Sequence, residues 1–177
     1  MTAIFAQSFA YRAPRTQVEL VDLLADTEQI RIIAGGTDLL IELRAGLTRP
    51  QVVVDVKTVE GYHDITWSAE SGLSIGPAVT INDLLADPVV RERFPLLVEC
   101  AVDLASHQIR NRATVAGNIV NASPCADMAP ALLCSDAYAV IVSRAGERTV
   151  PFTRFFTGVK RTVLGHDEVL ARIVLPP

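Results

Sequence analysis

Two stretches of this chain have residue types and spacings that could hold a phosphorylated ligand. In the first, 30–40, an apolar run with strand character breaks at Gly35-Gly36, and a second apolar run follows. Paired glycines can adopt positive φ and have no Cβ, so their backbone N–H groups can converge on one point and let an anion approach closely. Thr37 and Asp38 suit the start of a helix, whose first N–H groups are unsatisfied and partly positive. The pattern predicts a diphosphate-binding turn; the alternative is a tight strand-to-helix turn without a ligand.

The second stretch, 108–127, is rich in amides, hydroxyls and small side chains and poor in bulky core residues. Hydrogen-bonding side chains and positions that leave room beside the backbone are interspersed there, at Thr114, Ala116, Gly117, Asn118, Asn121, Ala122 and Ser123. The composition fits neither a packed core nor a regular surface helix. It predicts a second wall of a ligand site; the alternative is an Asx-rich connecting loop.

Composition narrows the class of protein. The chain has 177 residues, half of them apolar, so it can bury a sizeable core. Its net charge of −4 argues against a nucleic-acid partner, since such proteins usually present a basic face. No run approaches the roughly 20 apolar residues that span a bilayer, and residues 1–10 lack the features of a signal peptide. We therefore expect a cytoplasmic protein without a membrane span.

The thiols and imidazoles do not form a recognisable site. They are few and widely separated: Cys100, Cys125, Cys134, His63, His107 and His166. Three cysteines without a C-x-x-C pair fit neither a disulfide framework nor a zinc or iron–sulfur site, so we expect buried structural thiols and no metal.

The first third of the chain predicts a small α/β lobe, 1–57. Thr16 and Glu19 have the spacing of a capping box for a helix over 17–25. The remaining predicted elements are strands over 9–14, 30–34 and 51–56 and a helix over 38–45 that ends at Gly46. Two β-branched strands joined by a helix imply a parallel pair with a right-handed crossover.

The rest, 58–177, predicts a larger α+β lobe with a mainly antiparallel sheet. Predicted hairpins cover 63–76 and 137–151, the second turning through 144–147, and the last strand covers 168–175. Helices are predicted over 81–86, from Pro88, and over 95–105.

Taken together, the two stretches resemble the FAD-binding domain of the molybdenum hydroxylases, which includes the medium subunits of carbon monoxide dehydrogenases and the flavin domain of xanthine dehydrogenase. The similar segments are Ala34-Gly-Gly-Thr-Asp-Leu39, Gln108-Ile-Arg-Asn-Arg-Ala-Thr-Val-Ala-Gly-Asn118, Ala122-Ser-Pro-Cys-Ala-Asp127 and the closing segment 155–170. Nearly the whole chain is covered.

The resemblance implies a two-lobed α+β fold with FAD between the lobes. It implies that backbone N–H groups over one segment wrap the diphosphate: Ile32, Ile33, Ala34, Gly35, Gly36, Thr37, Asp38 and Leu39. On the other side, it implies that Thr114, Gly117 and Asn118 hold the diphosphate and ribityl region. Asp127 would accept from the flavin or a ribose. Leu170 would touch the cofactor, and Leu104 stands where some relatives place an aromatic residue against the flavin ring.

The sequence departs from the family pattern in two respects. Ala113 and Ala116 stand where the family usually has glycine, so their methyl groups are expected to crowd the cofactor or restrict φ. In addition, relatives continue beyond Pro177 into a C-terminal α+β domain. Its absence here leads us to expect weak FAD binding and an apolar surface around 170–175 that is exposed or covered by self-association.

Read through the resemblance, the chain is the FAD component of a multi-subunit hydroxylase whose partners are an iron–sulfur subunit and a molybdopterin subunit. FAD would pass electrons from the clusters to a terminal acceptor, and no side chain need act as acid, base or nucleophile. One alternative is a flavin-free interaction subunit of the same fold. Another is a stand-alone oxidase resembling vanillyl-alcohol oxidase, for which His107 would be the nearest catalytic candidate.

Overall fold

A computed structural model describes residues 8–177 and contains two lobes. The N-terminal lobe contains β1 (Ala10–Arg12), α1 (Gln17–Asp26), β2 (Ile30–Ile33), α2 (Leu39–Ala45) and β3 (Val52–Asp55), followed by a short 3-10 helix, Val56–Thr58. β3 is the central strand and pairs in parallel with β1 on one side and β2 on the other. The predicted parallel pairing is confirmed.

Local sequence sets the ends of the helices in this lobe. The Thr16 Oγ1 accepts from the Glu19 N–H at 3.2 Å, as the capping pattern predicts. The Glu19 carboxylate, however, accepts from the Arg15 N–H at 2.8 Å, so the reciprocal half of the predicted box reaches one residue further back. Gly46 adopts the left-handed conformation, φ 69°, and ends α2 as predicted.

The larger lobe begins with two strands and ends with the longest one. Its elements are β4 (Ile65–Ser68), β5 (Gly72–Ile75), α3 (Ile81–Ala86), α4 (Pro88–Arg93), α5 (Pro95–Asp103), α6 (His107–Arg110), α7 (Val115–Val120), α8 (Met128–Cys134), β6 (Tyr138–Ser143), β7 (Gly146–Pro151), β8 (Phe156–Gly158), β9 (Arg161–Thr162) and β10 (Val169–Leu175), with a 3-10 helix at Phe152–Arg154. The two-lobed α+β fold predicted from the sequence is confirmed. The division at residue 57 stays a prediction; the two main sheets lie on either side of it.

A five-stranded sheet organises this lobe, in the order β4-β5-β10-β6-β7, with every neighbouring pair antiparallel. β10 is the middle strand, and every residue in it except Arg172 is buried. The expectation of an exposed apolar surface over 170–175 is therefore wrong, because this chain's own elements cover both faces of the strand.

Two apolar clusters cover the two faces of that sheet. On one face, helices α3, α4, α5, α7 and α8 pack with Leu73, Ile141 and Ile173. On the other face, Leu20 and Leu24 of α1 pack with the opposite side of β6 and β10. The N-terminal lobe is therefore joined to the larger lobe through buried apolar surface, which the hydrophobic effect stabilises.

An ion-pair cluster lies at the edge of this junction. Arg144, in the two-residue turn between β6 and β7, donates to the Asp22 and Asp26 carboxylates of α1 at 2.8 Å each. It is also bidentate on Asp26. The planar guanidinium thus fixes the direction of α1 relative to the sheet.

Several elements differ from the sequence predictions. The stretch 108–127 was expected to lack a regular helix, but it contains most of α6 and all of α7. α8 and the β8–β9 hairpin were not predicted. Cys125 and Cys134 are exposed and Cys100 is half-buried, so the expected buried thiols are wrong for two of the three.

Residues 1–7 lie outside the described part of the chain. They make up most of the segment 1–10, for which the sequence predicts no signal peptide. Over 8–177, no helix has both the length and the apolar character needed to cross a bilayer.

Candidate functional site

A cleft of about 820 Å³ lies between the two lobes. It falls within the usual size range of cofactor and small-molecule sites, roughly 300–1,000 Å³. All fourteen residues predicted from the sequence line it: Ile32, Ile33, Ala34, Gly35, Gly36, Thr37, Asp38, Leu39, Leu104, Thr114, Gly117, Asn118, Asp127 and Leu170. The structure thus brings together residues that are up to 138 positions apart in the chain. Their individual contacts with a cofactor stay predictions.

The glycine turn forms one wall of the cleft. Gly36 has φ of 77°, as predicted. Within the described residues, the backbone N–H groups of 35–38 have no hydrogen-bond acceptor. Four neighbouring unsatisfied donors beside an open cleft form a site that can accept several oxygens of one anion. The donors belong to the turn, and the seven-residue helix α2 begins after them.

Gly35 has a second reason to be glycine. A Cβ built on it would lie 1.9 Å from the carbonyl oxygen of Arg112, which belongs to the opposite lobe. The glycine therefore allows the backbones of the two lobes to approach closely, a role that the sequence pattern did not distinguish from anion binding.

Asp38 and Asp127 are exposed carboxylates at the cleft. Each stands at the N-cap position of a helix, α2 and α8 respectively, but neither side chain makes the capping hydrogen bond. Both carboxylates are therefore available to accept from hydroxyl or N–H donors of a ligand.

The opposite wall is the turn into α7. The buried Thr114 uses its Oγ1 to accept from the Gly117 N–H at 2.9 Å, so that N–H is occupied by the helix cap. The Asn118 Oδ1 accepts from the Met128 N–H at 3.2 Å, which leaves the Asn118 amide N–H groups free to donate. The Ala116 N–H has no acceptor among residues 8–177. Available donors on this wall are thus Asn118 Nδ2 and the Ala116 backbone.

The two alanines at family glycine positions are accommodated by the fold. Neither Ala113 nor Ala116 has positive φ, and both are buried in the main apolar cluster while also lining the cleft. The expected restriction of φ is therefore wrong, because the backbone at both positions is one that alanine adopts without strain.

The buried side chains of Leu104 and Leu170 give the cleft an apolar surface. Arg110 supports Leu104 from outside the cleft: its Nη1 donates to the carbonyl oxygens of Val102, Leu104 and Ala105 at 2.8, 3.1 and 3.2 Å. This arrangement closes the chain reversal after α5, where Ala105 has φ of 46°. An apolar surface held in this way suits contact with an aromatic ring.

Lys160 lines the cleft but was not predicted from the sequence. Its backbone N–H donates to the Ala122 carbonyl at 2.8 Å, and its Nζ donates to the Asn121 Oδ1 at 2.7 Å. Arg31, another cation of the described lining, is paired with Glu42 at 3.1 Å. Lys160 instead contacts a neutral amide, so its charge is available to an anionic ligand. A single lysine in a loop carries no pattern, and only the fold places it here.

His107, the candidate base of the stand-alone oxidase alternative, lies elsewhere. It is not among the lining residues, and Asn82 Nδ2 approaches its Nδ1 at 3.3 Å. Among the described lining residues the one histidine is His166, whose side chain is 84% exposed. The described lining includes no cysteine or tyrosine. Among the described lining residues, no carboxylate, lysine or histidine is buried, and the buried Thr114 hydroxyl oxygen is engaged in capping α7.

The two lobes, the glycine turn and the cleft define an FAD-binding domain of the molybdopterin-dependent dehydrogenases. The chain belongs to this family: residues 7–177 match the family described as "FAD binding domain in molybdopterin dehydrogenase". The cofactor of this domain family is FAD.

Similar proteins agree with this assignment. The putative xanthine dehydrogenase FAD-binding subunit of Escherichia coli K12 is 38% identical over 95% of this chain and 58% of its own length. The carbon monoxide dehydrogenase medium chain of Hydrogenophaga pseudoflava is 33% identical over 95% of this chain and 58% of its own.

A solved structure, quinoline 2-oxidoreductase from Pseudomonas putida 86, superposes with a TM-score of 0.93 at 37% identity. The superposed region covers 97% of the present chain and 60% of the quinoline 2-oxidoreductase chain. The present chain thus spans about three-fifths of the length of these relatives.

The residues present fit FAD. The unsatisfied N–H groups of 35–38 suit a diphosphate, the exposed carboxylates suit hydroxyl and imide N–H donors, and the leucines suit an aromatic ring.

Proposed function

We propose that this chain is the flavin-carrying component of a molybdopterin-dependent dehydrogenase complex, which passes electrons from iron–sulfur clusters on a partner subunit to a terminal acceptor. A molybdopterin subunit would oxidise the substrate, and the assembly would be cytoplasmic. The observation that carries the proposal is the set of four unsatisfied backbone N–H groups, residues 35–38, beside the cleft.

The chain's own residues have positioning roles in this proposal. The turn over 32–39 holds the diphosphate by backbone donors, and Asn118 binds the ribityl region through its amide. Thr114 orders that wall by capping α7 and acts indirectly through Gly117. Asp127 accepts from a flavin or ribose donor. Leu104 and Leu170 contact the ring and exclude water from it.

When bound, FAD supplies the ability to exchange electrons singly or in pairs, which suits a position between one-electron clusters and a two-electron acceptor. The protein's part is to bind and orient the cofactor and to set the polarity around it. The chain therefore needs no substrate pocket of its own.

Three measurements on the purified chain test the proposal. We expect saturable binding in an FAD titration, bleaching of the flavin absorbance by an artificial electron donor, and no oxidation of xanthine, nicotinate or an aldehyde by the chain alone. No binding at any FAD concentration would favour the flavin-free interaction subunit. Robust oxidation of an organic substrate by the isolated chain would favour the stand-alone oxidase.

A further inference from the structure

An ionic network centred on the buried carboxylate of Asp55 lies behind the glycine turn, outside the cleft. Asp55, the last residue of β3, is buried, and its Oδ1 accepts from the Lys57 Nζ at 2.7 Å and from the Lys57 backbone N–H at 2.9 Å. Its Oδ2 accepts from the hydroxyl of Tyr11, which lies on β1. Both carboxylate oxygens are thus hydrogen-bonded, as a buried charge requires.

The lysine of this network also reaches the turn itself. The Lys57 Nζ donates to the carbonyl oxygen of Ala34 at 2.8 Å. Ala34 is the residue immediately before Gly35, so this oxygen belongs to the peptide unit whose N–H is that of Gly35. The ammonium group is therefore bonded to a carboxylate on one strand and to the peptide at the end of the neighbouring strand.

Because of peptide geometry, this contact determines the direction in which the Gly35 N–H points. In a planar trans peptide the C=O and the following N–H point in opposite directions. Lys57 does not line the cleft, whereas Ala34 and Gly35 do. By holding the oxygen on the side away from the cleft, the ammonium group keeps the Gly35 N–H directed toward it.

Without the contact to Lys57, the peptide unit between Ala34 and Gly35 could change its orientation, because one of its two flanking residues is glycine. A peptide unit next to glycine can rotate about the flanking ψ and φ at little cost, since Gly35 has no Cβ to restrict it. Rotation would present the Ala34 oxygen to the cleft in place of the Gly35 N–H. A carbonyl oxygen facing a diphosphate is repelled by it, so only the unrotated form binds well.

We propose that Lys57, held by Asp55 and Tyr11, is a positioning residue that keeps the Gly35 N–H directed at the diphosphate of FAD. The inference rests on the proposed FAD site at the turn. It assigns a role in binding to three residues that do not line the cleft. It also gives a reason for the partly buried ion pair at this point, because such a pair is weak evidence for stability alone.

The Asp55 carboxylate of this network remains charged at neutral pH. Burial alone would raise the pKa of Asp55, but hydrogen bonds from Lys57 and Tyr11 outweigh it and hold the pKa below its usual range. The hydrogen bond to Asp55, followed by burial, raises the pKa of Tyr11 to about 12, so the phenol remains a donor.

The test is a ligand series on three variants of the 177-residue chain. Lys57→Met removes the ammonium group at similar length, Lys57→Arg retains a cationic donor, and Arg172→Met removes a cation from an exposed pair with Glu147, away from the cleft. Dissociation constants are measured for FAD, for ADP, which carries the diphosphate, and for riboflavin, which carries no phosphate. The wild type is titrated first.

For Lys57→Met we expect FAD and ADP to bind about tenfold more weakly, because the competent orientation of the peptide falls from nearly all molecules to about a tenth of them. Riboflavin affinity should stay within twofold of wild type. Lys57→Arg should restore most of the loss, and Arg172→Met should resemble wild type for all three ligands. A purely structural role of Lys57 would instead weaken riboflavin and FAD equally, and that result overturns the proposal.

Wild-type affinity for FAD and ADP in a folded Lys57→Met protein also overturns it. If the wild type binds neither FAD nor ADP, the proposed FAD site is wrong and this inference is wrong with it. If the wild type binds both and Lys57→Met binds them equally well, the FAD site stands and only this inference is wrong. Should Lys57→Met not fold, Tyr11→Phe carries the test. Its side chain is partly exposed. We then expect a two- to threefold loss for FAD and ADP but not riboflavin, and no loss contradicts the proposal.

Discussion

The ability of the glycine turn to bind a ligand depends on the backbone conformation of Gly36. Its φ of 77° is strained for any residue with a Cβ, and a Cβ there would meet Ile33 Cδ1 at 3.1 Å and Leu40 Cδ1 at 3.2 Å. Gly36→Val should therefore force the turn into another conformation, at a cost of roughly 1–3 kcal/mol, and lower FAD affinity at least tenfold.

The matched control for this variant is Gly158→Val. Gly158 lies in β8, outside the lining of the cleft, and the nearest atom to an added Cβ is Arg161 Cδ at 3.9 Å. FAD titration followed by fluorescence compares the two. Unchanged affinity in a folded Gly36→Val protein would show that the turn does not hold the diphosphate.

A second single-residue test asks whether the positive charge of Lys160 contributes to FAD affinity. Lys160→Gln keeps a hydrogen-bonding side chain but removes the cation beside the cleft. We expect FAD affinity to fall several-fold at low ionic strength and the difference to shrink as salt is added, because screening weakens the charge interaction. Titrations at two salt concentrations measure this. A loss that is equal at both would mean that Lys160 acts through packing rather than charge.

The alanines at positions 113 and 116 provide a stability test. Because both methyl groups are buried in the main cluster, the glycine double variant should lose burial and gain chain entropy in the unfolded state. We expect Ala113→Gly/Ala116→Gly to lower the free energy of unfolding by about 2 kcal/mol without tighter FAD binding. Urea unfolding and FAD titration measure the two effects. Tighter binding at unchanged stability would restore the interpretation that the methyl groups crowd the cofactor.

At the scale of elements, regular patterns were readable and short irregular ones were not. The alternating or β-branched runs of β2, β3 and β10 and the capped helices α1 and α3 appear close to where the sequence predicts them. α6 and α7 are only four and six residues long, which is too short for a helical periodicity to be detected. Their caps, Ser106 and Thr114, were the available signals.

The residues in and around the cleft also divide into those that the sequence predicts and those that it does not. Glycine pairs and small residues have local signatures, so the turn and the α7 wall were predictable. Lys160 and the pairing of Tyr11 with Asp55 were not, because an isolated lysine and two residues 44 positions apart become meaningful only once the strands are paired. Long-range contacts of single side chains leave no periodic trace in a single sequence.

The segment 163–168, at one end of the cleft, depends on an ion pair. Arg148 on β7 donates to both oxygens of Glu168 at 2.6 Å and to the Val163 carbonyl at 3.0 Å. The Gly165 N–H also donates to Glu168. The Arg148 hydrogen bond holds the pKa of Glu168 below its usual value despite partial burial.

This pair predicts a pH dependence with a definite sign. A carboxyl whose pKa is lower in the folded state stabilises the fold above its unfolded pKa, near 4.5, and loses that contribution as pH falls through the folded pKa. Thermal unfolding measured from pH 7 to pH 3 should therefore show a smaller loss of Tm in Glu168→Gln than in wild type. Parallel curves would mean that the pair contributes nothing to stability.

At the scale of the whole molecule, the cleft is bounded by both lobes, so a ligand that fills it should stabilise both together. The lobes already share buried apolar surface around α1 and a backbone contact between Gly35 and Arg112. FAD bound across the cleft adds contacts that the unfolded chain lacks. Ligand at a hundredfold its Kd then adds about 2.7 kcal/mol to the free energy of unfolding.

For a chain of this size, that addition predicts a rise in Tm of roughly 5–10 °C with saturating FAD. At the same concentration ADP should raise Tm less than FAD, because it lacks the flavin proposed to contact Leu104 and Leu170 and should therefore bind more weakly. At the same FAD concentration, Gly36→Val binds at least tenfold more weakly and should gain at most about 1.4 kcal/mol, roughly half of the wild-type addition, while Gly158→Val should respond as wild type does. Calorimetry also distinguishes coupled from independent lobes: one transition that shifts as a unit supports a cleft that links them. Two transitions, of which FAD moves only one, would place the cofactor on a single lobe and contradict this prediction.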